Sequence, residues 1–241
     1  LLANATPPAD GPVTEEDLDG LPAPVRRYLE TVLGDDRRHV ETVRFTQRGE
    51  IRLGESWKPF TASQHVSVRP PGFVWDATVA VFPRLTARVV DAYEGGAGSL
   101  SAWLGSTLPI ARAGSSPEMD EGELLRFLGE SVWYPTALLS DAVEWSSIDE
   151  RSATATVGHG VNVASLEFRF DEEDLVEAVH ADLRYRQEDD SYAPWTGHFD
   201  DYEERDGMLV PTRAEVEWNL PDGDQAYWRA RIESIEYGFA E

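Results

Sequence analysis

The sequence predicts an α+β fold, in which a strongly curved antiparallel sheet is crossed by one mid-chain helix. Segments that alternate apolar and polar residues recur roughly every ten to fifteen residues, with turn residues between them. Helical spacing of apolar residues occurs only in a short N-terminal segment and a mid-chain segment, without the strand–helix alternation of a parallel sheet. No linker divides residues 14–241, which are therefore predicted to form a single domain.

Residues 1–13 are predicted to be a linker, because four Pro and Gly residues interrupt a segment without periodicity. The sequence starts Leu-Leu rather than with Met, as it would after removal of a signal or membrane anchor, or after an arbitrary truncation. A short helix follows, for which Pro24 suits the first turn and Gly34 the C-terminal stop. Its apolar residues have helical spacing: Val25, Tyr28, Leu29, Val32 and Leu33.

Strands are predicted along most of the remaining chain. In the stretch RPPGFVWDATVAVF, the odd positions from Phe73 to Val81 lie on one face, large at the start and small beyond. The preceding strand places Phe60 and Val66 inward by the same alternation. Near the C-terminus, two further strands place Trp218 and Trp228 on inward faces.

The mid-chain helix is predicted from residue 117, where PEMDEGELLRFLGESVWYP begins with an acidic first turn. Leu124 and Leu128 lie on its apolar side, and Pro135 is expected to end it. Glu123, Arg126 and Glu130 share another face. Ion pairs on the helix surface are the common interpretation of such spacing, and a charged contact between helix and sheet is the alternative.

The charge of the chain is strongly negative, with 45 acidic against 21 basic residues and a net charge of −24. Such a chain is expected to repel nucleic acid. Acidic residues spread along the whole sequence, with Lys58 as the single lysine, are typical of adaptation to high salt. An acidic surface in an arginine-rich background is the other interpretation.

Motifs for catalysis, metal binding or cofactor binding do not occur in the sequence. There is no cysteine, the five histidines have no metal-site spacing, and no phosphate-binding loop or serine elbow is present. His198 and Asp200 share a strand face, but a third ligand is not in view. We therefore predict no catalytic residues, no metal and no cofactor. No window approaches the length of a transmembrane helix.

The aromatic residues are the most informative set, since 25 of the 241 residues are Phe, Trp or Tyr. They either fill a large core beneath the helix or line an apolar cavity between helix and curved sheet. If a cavity exists, we expect these residues to line it: Phe60, Phe73, Trp75, Leu124, Leu128, Trp133, Trp218 and Trp228.

The sequence also resembles a known group of proteins. The motifs LPAPVRRYL, WKPFTASQ, PPGFVWDA, DAYEGGAGSL and VEWNLPDGDQAYWR are similar to those of an uncharacterised bacterial and archaeal family. That family is known as a domain of unknown function, usually behind an N-terminal membrane-spanning segment. The resemblance covers about residues 20–237 and implies an extracytoplasmic, membrane-anchored protein. It implies no catalytic residues.

A looser similarity is to lipoprotein carriers of the LolA/LolB type, in the strand start from Arg69 to Trp75. The resemblance implies a half-open antiparallel barrel, capped by helices, with an apolar cavity for acyl chains.

Together these observations favour an extracytoplasmic, non-enzymatic domain that binds a lipid or another apolar ligand, with residues 119–134 as a lid. The alternatives are a structural or interaction module with a filled aromatic core, and a hydrolase whose site residues meet only in the fold. A hydrolase is expected to depend on His198 or Glu123.

Overall fold

The computed structural model describes residues 1, 11–34, 38–105 and 107–239. Within these ranges the chain forms two α-helices, α1 (Ala23–Val32) and α2 (Pro117–Gly129), and thirteen β-strands. The strands are β1 (Val40–Leu53), β2 (Ser56–Ser67), β3 (Gly72–Phe82), β4 (Leu85–Glu94), β5 (Ala97–Leu104), β6 (Leu108–Ala113), β7 (Val143–Ser147), β8 (Ser152–His159), β9 (Asn162–Phe170), β10 (Val176–Arg186), β11 (Ser191–Arg205), β12 (Met208–Leu220) and β13 (Gly223–Phe239).

All thirteen described strands join one antiparallel sheet, in the order β6-β5-β4-β3-β2-β1-β13-β12-β11-β10-β9-β8-β7. Neighbours in the sheet are consecutive in the chain, except where β1 pairs with β13. The sheet therefore consists of two meanders, β1–β6 and β7–β13, joined at its centre. Such a pattern needs only short hairpin connections within each half.

The sheet curls around α2. This helix packs against β3, β4 and β5 from one meander and against β8, β9 and β10 from the other. At one end the two meanders touch directly, because Tyr93 Oη lies 3.0 Å from His159 Nδ1 and accepts a 3.2 Å hydrogen bond from Asn162 Nδ2. Strand β4 therefore meets β9 and β8 through side chains, although these strands are eight and nine positions away in the sheet.

The expected α+β class and curved antiparallel sheet are confirmed, but the half-open barrel is not. The sheet is open, with β6 and β7 as its two edges. The chain between these edge strands forms α2 and two short 3₁₀ helices, Glu130–Trp133 and Pro135–Leu139, rather than a further strand pair.

Both helices begin where the sequence predicts. Helix α1 has proline in its first turn, and α2 starts after Ser116, whose Oγ accepts a 3.2 Å hydrogen bond from the Met119 amide. Helix α2 ends earlier than expected, at Gly129 rather than beside Pro135. The backbone tightens into the 3₁₀ helix at Glu130, so the predicted lid consists of a helix followed by a turn.

The core lies on the concave face and continues under α1. Phe73, Trp75, Ala77 and Val79 are buried along β3, as alternation predicts. Strand β13 changes parity at a bulge, since Thr46 pairs with Ser234 and Gln47 with Ile232.

Most of the predicted linker lies outside the described residues. At its end, Val13 is buried and Pro12 forms an isolated bridge with Arg38, while the domain boundary at residue 14 stays a prediction. Within the described ranges, no helix has the length and apolar character needed to cross a membrane.

Candidate functional site

A cavity of about 240 Å³ lies between the concave face of the sheet and the C-terminal part of α2. Its wall includes residues from both meanders and is mostly aromatic or aliphatic, with four charged residues among sixteen. Several apolar side chains in the wall remain partly exposed, including Ile51, Val89, Leu100 and Trp228. Their apolar surface is therefore not covered by other parts of the protein.

The predicted ligand-binding residues divide into two groups. Trp75, Trp133 and Trp228 line the cavity. The other five are buried outside its lining: Phe60, Phe73, Leu124, Leu128 and Trp218. Phe60 supports the wall, because its ring stacks on Trp228 and meets the edge of Trp75, with centroids 5.9 and 5.6 Å apart.

Hydrogen bonds hold three tryptophans of the wall in fixed orientations. The Trp75 indole donates to Gln47 Oε1 at 2.8 Å, and the Trp133 indole donates to the Pro211 carbonyl at 2.9 Å. The Trp195 indole donates to Tyr227 Oη at 2.9 Å. Because each N–H has a partner, the rings present apolar surface to the cavity without an unsatisfied donor.

One end of the cavity carries a largely buried group of polar residues, which we name the Arg126 cluster: Gln64, Asp91, Arg126 and Glu130. Arg126 donates to Asp91 at 2.6 Å, to Glu130 at 2.8 Å and to Gln64 Oε1 at 3.1 Å. Gln64 in turn donates to Glu130. The guanidinium carbon lies 4.5 Å from the Phe73 ring centroid. These contacts join α2 to β2 and β4.

This geometry decides between the two interpretations of the helix charges. A surface ion pair is the wrong one, because the Arg126 and Asp91 side chains are only 18% and 12% exposed. The alternative, a charged contact between helix and sheet, is what the structure contains. Arg126 pairs with both carboxylates of the cluster at low exposure, where an unpaired charge is costly, while Asp91 Oδ1 has no hydrogen-bond partner among the described residues.

Glu123, one helical turn before Arg126, is buried next to this cluster. Burial, with added repulsion from Asp91, raises the pKa of Glu123 to about 8. Burial also raises the pKa of Asp91, although the Arg126 guanidinium opposes that shift. At neutral pH Glu123 is therefore mainly protonated, so it adds no charge beside the Arg126 cluster.

Arg184 from β10 lines the cavity at a different place. Its guanidinium carbon lies 4.7 Å from the Trp195 ring centroid and 6.0 Å from that of Trp218. It donates only long hydrogen bonds, of 3.4 Å to Tyr227 Oη and 3.5 Å to the Gly122 carbonyl. Among the described residues, no carboxylate forms an ion pair with it within 4.0 Å.

Sequence reasoning missed four polar residues of this site: Gln47, Gln64, Asp91 and Arg184. The first three occupy inward positions of otherwise apolar strand faces, and that interruption was the available signal. Arg184 was hidden by a register shift in β10 between Ala181 and Arg184. The shift exposes Leu183, although it has the same parity as the buried Val179 and Ala181, and turns Arg184 toward the cavity.

The histidine candidate lies elsewhere. His198 is exposed and its Nε2 lies 3.0 Å from Glu217 Oε1, whereas its neighbour Phe199 lines the cavity. His198 therefore faces away from the cavity, as strand alternation requires. Within the described ranges, no group of three or more acidic or histidine side chains is arranged to hold a metal ion.

The sequence was compared with family models and with curated proteins. A family model described as that of a family of unknown function (DUF6920) matches residues 19–237. No curated protein matches the chain.

Solved structures resemble the chain over most of its length. A putative outer membrane lipoprotein-sorting protein domain from Vibrio parahaemolyticus has 9% identity, 92% coverage of both chains and a TM-score of 0.48. A DUF1329 family protein from Desulfovibrio piger has 12% identity, 92% coverage of both chains and a TM-score of 0.47. A LolA superfamily protein from Nitrosomonas europaea has 10% identity, covering 88% of this chain and 92% of its own, with a TM-score of 0.43. The looser similarity to lipoprotein carriers is thus confirmed, and it carries no argument about a ligand.

Proposed function

We propose that this chain, which belongs to the DUF6920 family of unknown function, binds a lipid or another apolar ligand and catalyses no reaction. The site of binding is the cavity beneath α2. The observation that carries this proposal is the largely apolar wall, in which the buried Trp75 and Trp133 and the partly exposed Trp228 line a space of about 240 Å³. A ligand in that space removes apolar surface from water.

The volume limits the size of the ligand. An engineered apolar cavity of about 150 Å³ holds one benzene molecule. A cavity of about 240 Å³ is larger, yet it lies just below the range of about 300–1,000 Å³ that is typical of ligand pockets. It therefore suits one medium-length acyl chain or a small ring system, rather than a whole two-chain lipid.

A module with a completely filled aromatic core is the weaker alternative. Native interiors have few voids larger than a water molecule. A largely apolar space of this size therefore does not fit a completely filled core, and the indole N–H groups of Trp75, Trp133 and Trp195 in its wall already have hydrogen-bond partners.

A series of straight-chain alkanols tests the proposal, with the intact chain titrated by calorimetry. We expect affinity to rise about fourfold per methylene, because each buried CH₂ contributes about 0.8 kcal/mol, until the cavity is full. Extraction and mass spectrometry of the purified protein then identify any lipid that accompanies it.

Two variants, each with one alanine replaced by leucine, test whether the alkanol binds in the cavity. Ala214→Leu adds volume to the cavity wall and is expected to weaken alkanol binding, whereas Ala80→Leu adds the same volume on the exposed face of β3. The absence of alkanol binding, or equal binding by both variants, contradicts the proposal.

The cellular setting forms part of the same proposal. The family resemblance supports a domain held outside the cytoplasm by a membrane segment that is not in this chain. Protease treatment of intact spheroplasts and of lysed cells, with the full-length protein detected by antibody, tests this. Protection in intact spheroplasts and digestion only after lysis would place the domain inside.

A further inference from the structure

The polar side of the cavity indicates the chemistry of the ligand headgroup. Arg184 lines the cavity in a chain that has 45 acidic and 21 basic residues, yet none of the described carboxylates lies within ion-pair distance of it. Other described arginines also lack an ion pair within 4.0 Å, such as Arg44 and Arg213, but they do not line the cavity. The ion-pairing capacity of Arg184 is unused.

Two neighbouring arginines show the contrast. Arg126 is bound on both sides, by Asp91 and Glu130. Arg186, two residues further along β10, pairs with Glu188 at 2.7 Å and Asp189 at 3.1 Å. Arg186 does not line the cavity. Arg184 is therefore the cation that faces the cavity without a carboxylate of its own.

The aromatic rings hold Arg184 in place and leave donors available. Stacking near Trp195 positions the guanidinium plane, and only two of its five N–H groups make hydrogen bonds, at 3.4 and 3.5 Å. A planar fork with free N–H groups matches the two oxygens of a carboxylate or the oxygens of a phosphate monoester.

The nearby acids leave room for an anion. Arg184 is close enough to Asp91 and Glu123 to oppose the rise that burial causes in the pKa of both carboxyl groups. Asp91 is already bound to Arg126, and Glu123 is mainly protonated at neutral pH because its pKa is about 8. The apolar wall lowers the local dielectric beside Arg184, which strengthens an ion pair formed there.

We infer that Arg184 binds the anionic headgroup of the ligand, which is a single-chain amphiphile whose apolar tail fills the cavity between α2 and the sheet. This inference rests on the proposed function and names its ligand class. The shared chemistry is a terminal carboxylate or phosphate monoester on one medium-length chain.

The experiment compares decanoate, decyl phosphate, decan-1-ol and decylammonium, each below its aggregation concentration and at one ionic strength. Calorimetry on the intact chain is expected to show at least one of the two anions binding about tenfold or more tighter than decan-1-ol. A charge-assisted hydrogen bond contributes about 1.5–3 kcal/mol, which corresponds to a preference of that size. Decylammonium is expected to bind most weakly.

Two variants on the same strand complete the test. Arg184→Gln is expected to remove the preference for anions and leave the affinity for decan-1-ol within about twofold. Arg186→Gln, with the same loss of charge from a paired arginine outside the cavity, is expected to keep the preference. Arg184→Lys retains the charge without the fork and is expected to keep part of the preference, which covers the case of a poorly folded glutamine variant.

The outcomes separate this inference from the proposed function. Decan-1-ol binding as tightly as both anions, or an anion preference unchanged in Arg184→Gln and Arg184→Lys, overturns the inference and leaves the apolar site intact. If neither the anions nor decan-1-ol bind, the proposed function itself is contradicted.

Discussion

Arg126 Nη1 donates a 2.6 Å hydrogen bond to Asp91 Oδ2, and this contact ties helix α2 to strand β4 at one end of the cavity. The same guanidinium holds Glu130, at the start of the turn that follows the helix. Arg126 is therefore one of the contacts that fix the position of α2 over the sheet, and with it the shape of the cavity.

Arg126→Gln is expected to destabilise the protein by about 3–5 kcal/mol, because removal of one partner leaves two buried carboxylates without their cation. Urea denaturation at pH 7 measures the change. Arg88→Gln is the matched control, since its pair with Asp76 is 48% and 38% exposed and solvent-exposed pairs contribute little to stability. Equal losses in the two variants would show that the Arg126 cluster behaves as a surface pair.

The pair of Arg126 and Asp91 is also expected to be coupled. In a double-mutant cycle, Arg126→Gln with Asp91→Asn should cost less than the sum of the single changes, by about 0.5–3 kcal/mol, since the double variant leaves one fewer buried carboxylate unpaired. Additive losses would contradict a direct interaction.

Glu123 is expected to give the protein a specific pH dependence. Its pKa of about 8 in the folded protein lies above its ordinary value of 4.5, so between these values the folded state holds a proton that the unfolded state has released. The free energy of unfolding therefore falls as pH rises through this window, by at most about 1.4 kcal/mol per pH unit from this group.

Glu123→Gln should remove that contribution, so that the variant is more stable than the native chain at pH 9 and the difference shrinks toward pH 5. Urea denaturation across this range measures it. Glu144→Gln, an exposed glutamate on β7, is the control and should follow the native curve. A difference between native chain and Glu123→Gln that does not vary with pH would refute the assignment.

Gly98 determines how closely α2 approaches β5. A methyl group at Gly98 would lie 2.8 Å from Met119 Cγ and 2.9 Å from the Met119 carbonyl oxygen. Gly98→Ala is therefore expected to destabilise the protein by about 1–3 kcal/mol, as overpacking does. Gly122→Ala, on α2 with open space around it, should instead stabilise by about 0.5–1 kcal/mol. Thermal unfolding followed by circular dichroism compares them, and equal shifts would contradict the close contact.

Salt is expected to stabilise the protein. The net charge of −24 produces self-repulsion, which is screened at about 1 M salt, where the Debye length is roughly 3 Å. We predict a clear fall in Tm when the protein is moved from molar to millimolar sodium chloride. An unchanged Tm would contradict the proposed adaptation to high salt.

The fold was largely predictable because alternation and helical spacing are local properties. The inward face of β3 and the start of α2 at Pro117 both follow from the sequence. The end of α2 and the open edges of the sheet depend on how distant segments pack, which local periodicity does not encode.

The site was predictable only in part. Three of the eight predicted residues line the cavity. Strand alternation identifies side chains that point inward, but it does not distinguish those that line the cavity from those that are packed behind its wall. Asp91 could have been identified, because it interrupts an apolar strand face. Arg184 could not, because its orientation toward the cavity results from a register shift in β10. Alternation no longer predicts which side chains point inward beyond a β-bulge, where one strand has an extra residue relative to its neighbour.

An X-ray structure of the protein soaked with a bromine-labelled decanoate tests the central claim most directly, because the anomalous signal locates the tail without assumptions about the site. We predict bromine density among Trp75, Trp133 and Trp228, with the carboxylate beside Arg184. Bromine density elsewhere on the surface, or an unoccupied cavity at a saturating ligand concentration, would contradict it.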